Sequence, residues 1–306
     1  MPPTAPTASP TSGSFVAEPE KLASAAAAPP ASFERDTAVR VIERAGPRTL
    51  LEAEVSPAWR AGRGPHGGYL AAMLVRALAE SLEERSRAAR SLTIHFARAP
   101  EPGPVSIAAA TEREGRSLST LSARMEQDGT LIALALSAFS RAWSGPELAE
   151  ARMPEVAPAD PERSPGGLVE HGAPPFTQNI VLQPRIGGLP FTDSEQPMES
   201  GGWLGLTEPR PVDAAALAFY SDALIPAPFM RTRRVGPAPT IDLTVHFCTP
   251  MPRDPSPDPL ELCLVHTRAS LLHEGFFVED GTIWAADGTL LAQSRQLAIL
   301  MRPAIG

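Results

Sequence analysis

The chain has 306 residues, of which 43% are hydrophobic and 20% are charged, and its formal net charge is −8. This length suits two domains of about 100–150 residues each, and the composition is that of a globular protein, neither a membrane protein nor a wholly disordered one. The acidic balance argues against a general nucleic-acid-binding protein.

The first 32 residues are rich in Pro, Ala, Ser and Thr, without the basic and apolar segments of a secretory signal. Because such a segment has too little apolar surface to bury, residues 1–32 are predicted to be a disordered tail. No window approaches the roughly 20 apolar residues of a membrane-spanning helix. We therefore expect a cytoplasmic protein with no membrane span.

Residues 33–143 are predicted to form a first domain. Two strands are predicted around Thr37–Glu43 and Arg48–Val55, followed by a Gly-rich turn and a helix over Gly67–Leu78 that is apolar on nearly every side. Four further strands are predicted at about 91–98, 104–113, 117–127 and 131–141.

Residues 144–176, rich in Pro, Glu and Ala, are predicted to be a linker, and residues 177–306 a second domain. Its first strands are predicted at Asn179–Arg185 and Gly202–Leu206, and its helix at Asp213–Leu224 with Asp213 as N-cap. Four more strands are predicted near 240–248, 260–270, 273–285 and 289–301. Each half therefore has the order of two strands, one apolar helix and four strands.

Two short sequences recur in the same order in both halves. Leu92-Thr-Ile-His-Phe96 returns 151 residues later as Leu243-Thr-Val-His-Phe247, and Asp128-Gly-Thr-Leu131 returns 159 residues later as Asp287-Gly-Thr-Leu290. The repeats indicate a duplicated domain. Since a helix that is apolar all round must be wrapped by the concave face of a curled antiparallel sheet, we predict an α+β double hotdog, with two tandem antiparallel sheets each wrapped around a central helix.

The glycines before the first helix have two interpretations. Gly62-x-Gly64-x-x-Gly67 matches a dinucleotide-binding fingerprint in letters, but it follows no buried strand and lies in no parallel βαβ unit, so nucleotide binding is not predicted. Gly67 and Gly68 either start the helix with N–H groups that hold a carbonyl oxygen or an anion, or serve only close packing.

Three polar residues of the second half are candidates for chemistry. Asp222 lies in the last turn of an otherwise apolar predicted helix, where its charge is unfavourable by up to about 1 kcal/mol. It is either a functional carboxylate or a solvated helix-end acid. Thr240 and Gln296 taken singly are typical surface residues, but the three together could hold one water, with the carboxylate accepting its proton.

Other catalytic patterns are absent from the sequence. There is no Gly-x-Ser-x-Gly, no His-Glu-x-x-His and no Cys-x-x-Cys, so neither a serine-hydrolase elbow nor a metal site is predicted. His95 and His246 occupy matching strand positions and are interpreted as structural or pair-interface residues. His66, at the start of the first helix, is a candidate substrate contact.

The chain resembles the acyl-CoA thioesterase II family of double-hotdog hydrolases over about residues 35–302. The resemblance is carried by Trp59 with Gly64-Pro-His-Gly-Gly-Tyr69, Tyr220-Ser-Asp222, Pro239–Phe247 and Gln293-Ser-Arg-Gln296. That family uses an Asp, a Thr and a Gln of its second hotdog, which in the matching motifs fall on Asp222, Thr240 and Gln296. The first half has Ser137 in place of the Gln and no acid in its helix, so one site per chain is expected.

The resemblance implies hydrolysis of an acyl-CoA thioester to the free acid and coenzyme A, as part of lipid metabolism. The oriented water attacks, a backbone N–H or Gln296 supports the oxyanion, and neither cofactor, metal nor covalent nucleophile is required. His66, Gly67 and Gly68 are the expected substrate contacts. The basic run of Arg231, Arg233 and Arg234 is either a contact for coenzyme A phosphates or a solvated loop.

Other functions and the assembly stay open at this stage. The alternative function is a non-catalytic acyl-CoA or acyl-carrier binding protein on the same scaffold. A hotdog hydratase or dehydratase would need a His/Asp pair at the helix, and the sequence puts no acid beside His66. The linker and an insertion at 186–201 depart from the family pattern and leave acyl-chain preference undetermined, while a homo-oligomer is a further possibility.

Overall fold

The computed structural model describes residues 32–160, 162, 173–233, 236–251 and 261–301. Apart from Ser32, the predicted disordered tail lies outside the described residues, and so do Arg234 and residues 163–172 of the predicted linker. The domain boundaries given above stay predictions.

The first half adds a short helix and a small hairpin to the predicted elements. Helix α1 precedes the first strands, and a two-stranded hairpin, β3–β4, leads into helix α2. The elements in chain order are α1 (Phe33–Asp36), β1 (Val39–Ala45), β2 (Arg48–Val55), β3 (Arg60–Ala61), β4 (Gly64–Pro65), α2 (Gly67–Ser81), β5 (Ala88–Phe96), β6 (Gly103–Glu114), β7 (Leu118–Gln127) and β8 (Thr130–Ser140).

The second half repeats the strand–helix–strand order. Asp213 is the N-cap of its helix, as predicted, and accepts a hydrogen bond from the Ala216 N–H at 2.8 Å. The elements are β9 (Ile180–Ile186), β10 (Glu199–Leu206), α3 (Ala214–Tyr220), β11 (Thr240–Phe247), β12 (Cys263–His273), β13 (Phe276–Trp284) and β14 (Leu290–Ile299).

The long strands of both halves form one continuous antiparallel sheet. Its order is β1-β2-β6-β7-β8-β5-β11-β14-β13-β12-β10-β9, so each half contributes six strands and the halves join where β5 pairs with β11. Thr93 and Thr244, equivalent residues of the repeat, face each other across this joint with their hydroxyl oxygens 3.1 Å apart. His95 and His246 lie on these same two strands. The two predicted tandem sheets are therefore the two halves of a single sheet.

The two helices lie against each other and share one core. Helix α2 packs against strands of the first half, and α3 packs against α2 and β11. One hydrophobic cluster contains residues of both halves, among them Leu74 of α2 and Phe219 of α3, which are fully buried. Because the halves share this core, the end of α3 is fixed next to the start of α2.

Helix α3 ends at Tyr220, earlier than the predicted range of 213–224. Ser221 is its C-cap, and the N–H of Asp222 bonds back to the carbonyl of Phe219 at 3.2 Å, which tightens the final turn. Asp222 therefore lies just beyond the helix. The prediction that it lies in the last turn was wrong.

Part of the predicted linker packs on the second half. Met153, Val156 and Ala159 lie against a small cluster of buried apolar side chains on the outer strands of that half, and the indole N–H of Trp203 donates to the Ala157 carbonyl at 2.9 Å. This segment is therefore anchored to the sheet. No helix in the described part of the chain is long and apolar enough to cross a membrane.

Candidate active site

Asp222 lies where the end of α3 meets the start of α2. Its Oδ2 accepts a hydrogen bond from the Gly68 N–H at 2.9 Å, and its side chain is only 12% exposed. The first turn of a helix presents unpaired N–H groups and a partial positive charge. The unfavourable position of Asp222 relative to its own helix is thus offset by the favourable end of α2.

The glycines at the start of α2 make this approach possible. A Cβ on Gly67 would lie 2.7 Å from Oδ2 of Asp222, and one on Gly68 would lie 2.6 Å from the Phe219 carbonyl oxygen. No side chain fits at either position without displacing α3 or the carboxylate. The glycines therefore permit close packing, and the Gly68 N–H donates to the Asp222 carboxylate, while a contact of either glycine with substrate stays a prediction.

Thr240 and Gln296 reach the same place from neighbouring strands. The Thr240 hydroxyl donates to Oε1 of Gln296 at 2.9 Å and lies 3.3 Å from Oδ1 of Asp222. In a regular strand Thr240 and Leu243 would face opposite sides, but a bulge between Thr240 and Asp242 shifts the register by one residue. Because of this bulge Thr240 shares the face of Leu243, the cross-strand partner of Gln296. The three side chains predicted from the sequence therefore form one hydrogen-bonded group.

Glu279 stands behind this group, and the sequence reasoning missed it. It is 3% exposed on β13, directly across from Gln296, whose Nε2 donates to its Oε1 at 3.0 Å. Its Oε2 accepts from the Ala227 N–H at 2.7 Å. Burial raises the pKa of this carboxyl to about 7. The available signal was its position: Phe277, Glu279 and Gly281 alternate on the inward face of β13.

His66 contacts Asp222 from the other half of the chain. It is 4% exposed, and its Nε2 lies 2.9 Å from the Asp222 carbonyl oxygen and 3.8 Å from Oδ2. Its ring packs against Phe176 and Phe219, and burial lowers its pKa. A neutral imidazole whose Nε2–H donates to the carbonyl fits this geometry. The expectation that no acid lies beside His66 was wrong, because Asp222 comes to it from 156 residues away.

The described arginines of the basic run contact groups of a neighbouring segment in the second half. Arg231 donates to the Ser194 carbonyl and to the carboxylate of Glu195, and Arg233 lies 3.5 Å from a carboxylate oxygen of Asp193. These partners belong to the insertion at 186–201, and a role for the arginines in substrate binding stays a prediction. The third arginine of the run, at position 234, lies outside the described residues.

In the first half, the position equivalent to Gln296 is Ser137, whose hydroxyl donates to the Ser91 carbonyl of its own sheet. Ser137 is buried and presents no amide to the interior. This arrangement accords with a single site per chain.

Comparison with known proteins gives two family models and several solved structures. The acyl-CoA thioesterase N-terminal domain matches residues 55–140, and the acyl-CoA thioesterase C-terminal domain matches residues 151–300. No curated protein matches the chain.

A conserved protein of unknown function with a hot dog fold from Alicyclobacillus acidocaldarius is 28% identical, with a TM-score of 0.75 over 89% of this chain and 98% of that one. A putative thioesterase II from Thermobifida fusca YX is 24% identical, with a TM-score of 0.70 over 88% and 97%. The acyl-CoA thioesterase II TesB2 from Mycobacterium marinum is 17% identical, with a TM-score of 0.65 over 90% and 98%. These likenesses confirm the predicted double-hotdog fold.

Proposed function

The chain belongs to the acyl-CoA thioesterase family, and from this premise we propose that it hydrolyses an acyl-CoA thioester to the free acid and coenzyme A. The observation that carries the proposal is the single hydrogen-bonded group of Asp222, Thr240 and Gln296 at the N-terminus of α2. A carboxylate, a hydroxyl and an amide in contact can bind and orient one water.

The proposed reaction needs only water and this chain's own groups. Asp222 takes a proton from the bound water while the water oxygen attacks the thioester carbonyl carbon. This attack gives a tetrahedral intermediate. The carbonyl double bond then re-forms, the C–S bond breaks, and coenzyme A leaves as a thiolate. The proton held by Asp222 passes to the thiolate or to solvent, which restores the carboxylate.

The negative oxygen of the intermediate requires a donor. The Gly68 N–H donates to Asp222, and Nε2 of Gln296 donates to Glu279. Gly67 is the first residue of α2, so its N–H has no acceptor within the helix. We therefore assign oxyanion support to the Gly67 N–H.

The proposal is tested by Asp222→Asn in a thiol-release assay with a panel of acyl-CoAs of different chain length. We expect turnover to fall by roughly 10²–10⁴-fold while the protein stays folded. Asp242→Asn is the matched control, because Asp242 lies nearby on β11 but on the opposite face from Leu243. Full activity of Asp222→Asn would exclude this mechanism.

The same assay separates the enzyme from the alternative function. A non-catalytic acyl-CoA or acyl-carrier binding protein would bind the thioester, as measured by calorimetry, without releasing thiol. The panel also reports the acyl-chain preference.

A further inference from the structure

The buried carboxyl of Glu279 has no role in the reaction as described above, although it is bonded to the group that performs it. Only Gln296 separates it from Thr240, and Thr240 lies against Asp222. The four side chains therefore lie in a row from the interior to the site, each within hydrogen-bond distance of the next.

The direction of this chain follows from the number of protons that each group carries. An ionised carboxylate only accepts, an amide donates at Nε2 and accepts at Oε1, and a hydroxyl donates a single proton. An ionised Glu279 therefore requires Nε2 of Gln296 on its side. The amide oxygen then faces Thr240 and takes its only proton. In this direction Oδ1 of Asp222 and Oγ1 of Thr240 both remain acceptors for the hydrogens of a water.

A protonated Glu279 permits the opposite direction. Its O–H can donate to Oε1 of Gln296 once the amide has turned over, and Nε2 then donates to Thr240. The Thr240 proton is released to Oδ1 of Asp222. A carboxylate that accepts this additional hydrogen bond is a weaker base, and Thr240 no longer accepts from the water.

We propose that Glu279 is a positioning residue whose ionisation fixes the direction of this hydrogen-bond chain and so makes Asp222 an effective base. The inference rests on the proposed hydrolysis. Glu279 acts through Gln296 and Thr240 and does not touch the substrate.

The surroundings of Glu279 place the change of direction near neutral pH. It is faced by Gln296 from β14, by the Thr267 hydroxyl from β12 and by the Ala227 N–H, and the charge of Asp222 also acts on it. Ala227, Ala269, Phe277 and Ala298 form an apolar cluster here, and Ala269 is the cross-strand partner of Glu279. Burial in this cluster, together with the charge of Asp222, outweighs the hydrogen bonds and raises the pKa of Glu279 to about 7.

The test is the pH dependence of kcat/KM between about pH 5.5 and 9 for the wild type, Glu279→Gln and Glu279→Asp. The wild type should gain activity through an ionisation near pH 7, and Glu279→Asp, which keeps the acid, should keep this step at lower kcat. Glu279→Gln should lose the change in activity near pH 7. Because a glutamine at this position permits both directions of the hydrogen-bond chain at every pH, its kcat should be reduced by about tenfold with little change in KM. Ser294→Ala, on the same strand and face as Gln296, is the control and should follow the wild-type profile.

Infrared spectroscopy provides a readout that does not depend on activity. The carbonyl band of a buried protonated carboxyl should disappear from the wild type as the pH rises through about 7, and Glu279→Gln should lack this band. A wild-type pH profile in Glu279→Gln would overturn this inference while leaving the hydrolase intact. No thiol release by the wild type from any acyl-CoA would overturn both proposals.

Discussion

The backbone N–H of Gly68 donates a hydrogen bond to the carboxylate of Asp222 at 2.9 Å, across 154 residues of sequence. This bond joins the two halves of a duplicated chain at the candidate site. The second half supplies the side chains, and the first half supplies the N-terminus of a buried helix. Neither half alone supplies both this carboxylate and the helix N-terminus that holds it.

Gly67→Ala should lower activity without loss of stability. The new Cβ would lie 2.7 Å from Oδ2 of Asp222, so the carboxylate must shift away from its position at the helix. The close contact is with the end of a side chain and not with backbone, so the helix itself need not move. We expect kcat to fall by about 10- to 100-fold with the melting temperature nearly unchanged. Gly145→Ala is the control, because the nearest atom to its Cβ is a Trp143 side-chain carbon at 3.8 Å. Equal activity of the two variants would contradict the close contact.

Replacing Thr240 tests its hydroxyl separately from its shape. Thr240→Val keeps the branched side chain but removes the donor to Gln296, and should reduce kcat by about 10²-fold. Thr240→Ser keeps the hydroxyl and should retain most of the activity. Thermal melting of both variants checks that the strand is intact. If Val and Ser behave alike, the hydroxyl has no part in orienting the water.

The sequence predicted much of this fold and part of the site. The alternating apolar residues in the repeated strands and the helices that are apolar all round are local signals, and they predicted the strand and helix order correctly. Asp222, Thr240 and Gln296 were candidates first as polar residues of the second half and then as matches to motifs of the resembling family, and the structure brings them together.

Contacts that depend on register and on long-range packing could not be predicted in this way. The bulge that turns Thr240 towards Gln296 has no local sequence signal. The approach of His66 to Asp222 depends on how α2 packs on α3. Glu279 becomes significant only when β13 is paired with β14 in the observed register, because only then does it face Gln296.

His66 should make the protein less stable in mild acid. Burial lowers its pKa in the folded state below the ordinary value of 6.5. Below pH 6.5 the unfolded chain therefore takes up a proton that the folded protein does not, and stability falls with pH. His66→Gln keeps an N–H donor for the Asp222 carbonyl without this proton. Between pH 7.5 and 5.5 the wild type should lose more of its free energy of unfolding than the variant does, as measured by urea unfolding. A parallel loss in both proteins would contradict a buried neutral His66.

Glu279 should affect stability with the opposite dependence on pH. The ordinary pKa of a glutamate carboxyl is 4.5. In the folded protein the pKa of Glu279 is about 7, because burial disfavours the charged carboxylate. Between these values the unfolded chain releases the proton and the folded protein keeps it. The unfolded state then binds fewer protons, so the free energy of unfolding decreases as the pH rises from about 4.5 to 7 and this loss persists above pH 7.

Glu279→Gln removes this contribution, since Gln has no proton to release. Relative to the wild type, its free energy of unfolding should therefore increase from pH 5 to pH 8, by up to about 3 kcal/mol at about 1.4 kcal/mol per pKa unit. Urea unfolding at several pH values measures the difference directly, and Ser294→Ala, whose side chain does not titrate, should run parallel to the wild type. Because His66 is present in all three proteins, its own contribution cancels in these comparisons. Parallel curves for Glu279→Gln and the wild type would mean that the carboxyl ionises at its ordinary pKa despite being 3% exposed.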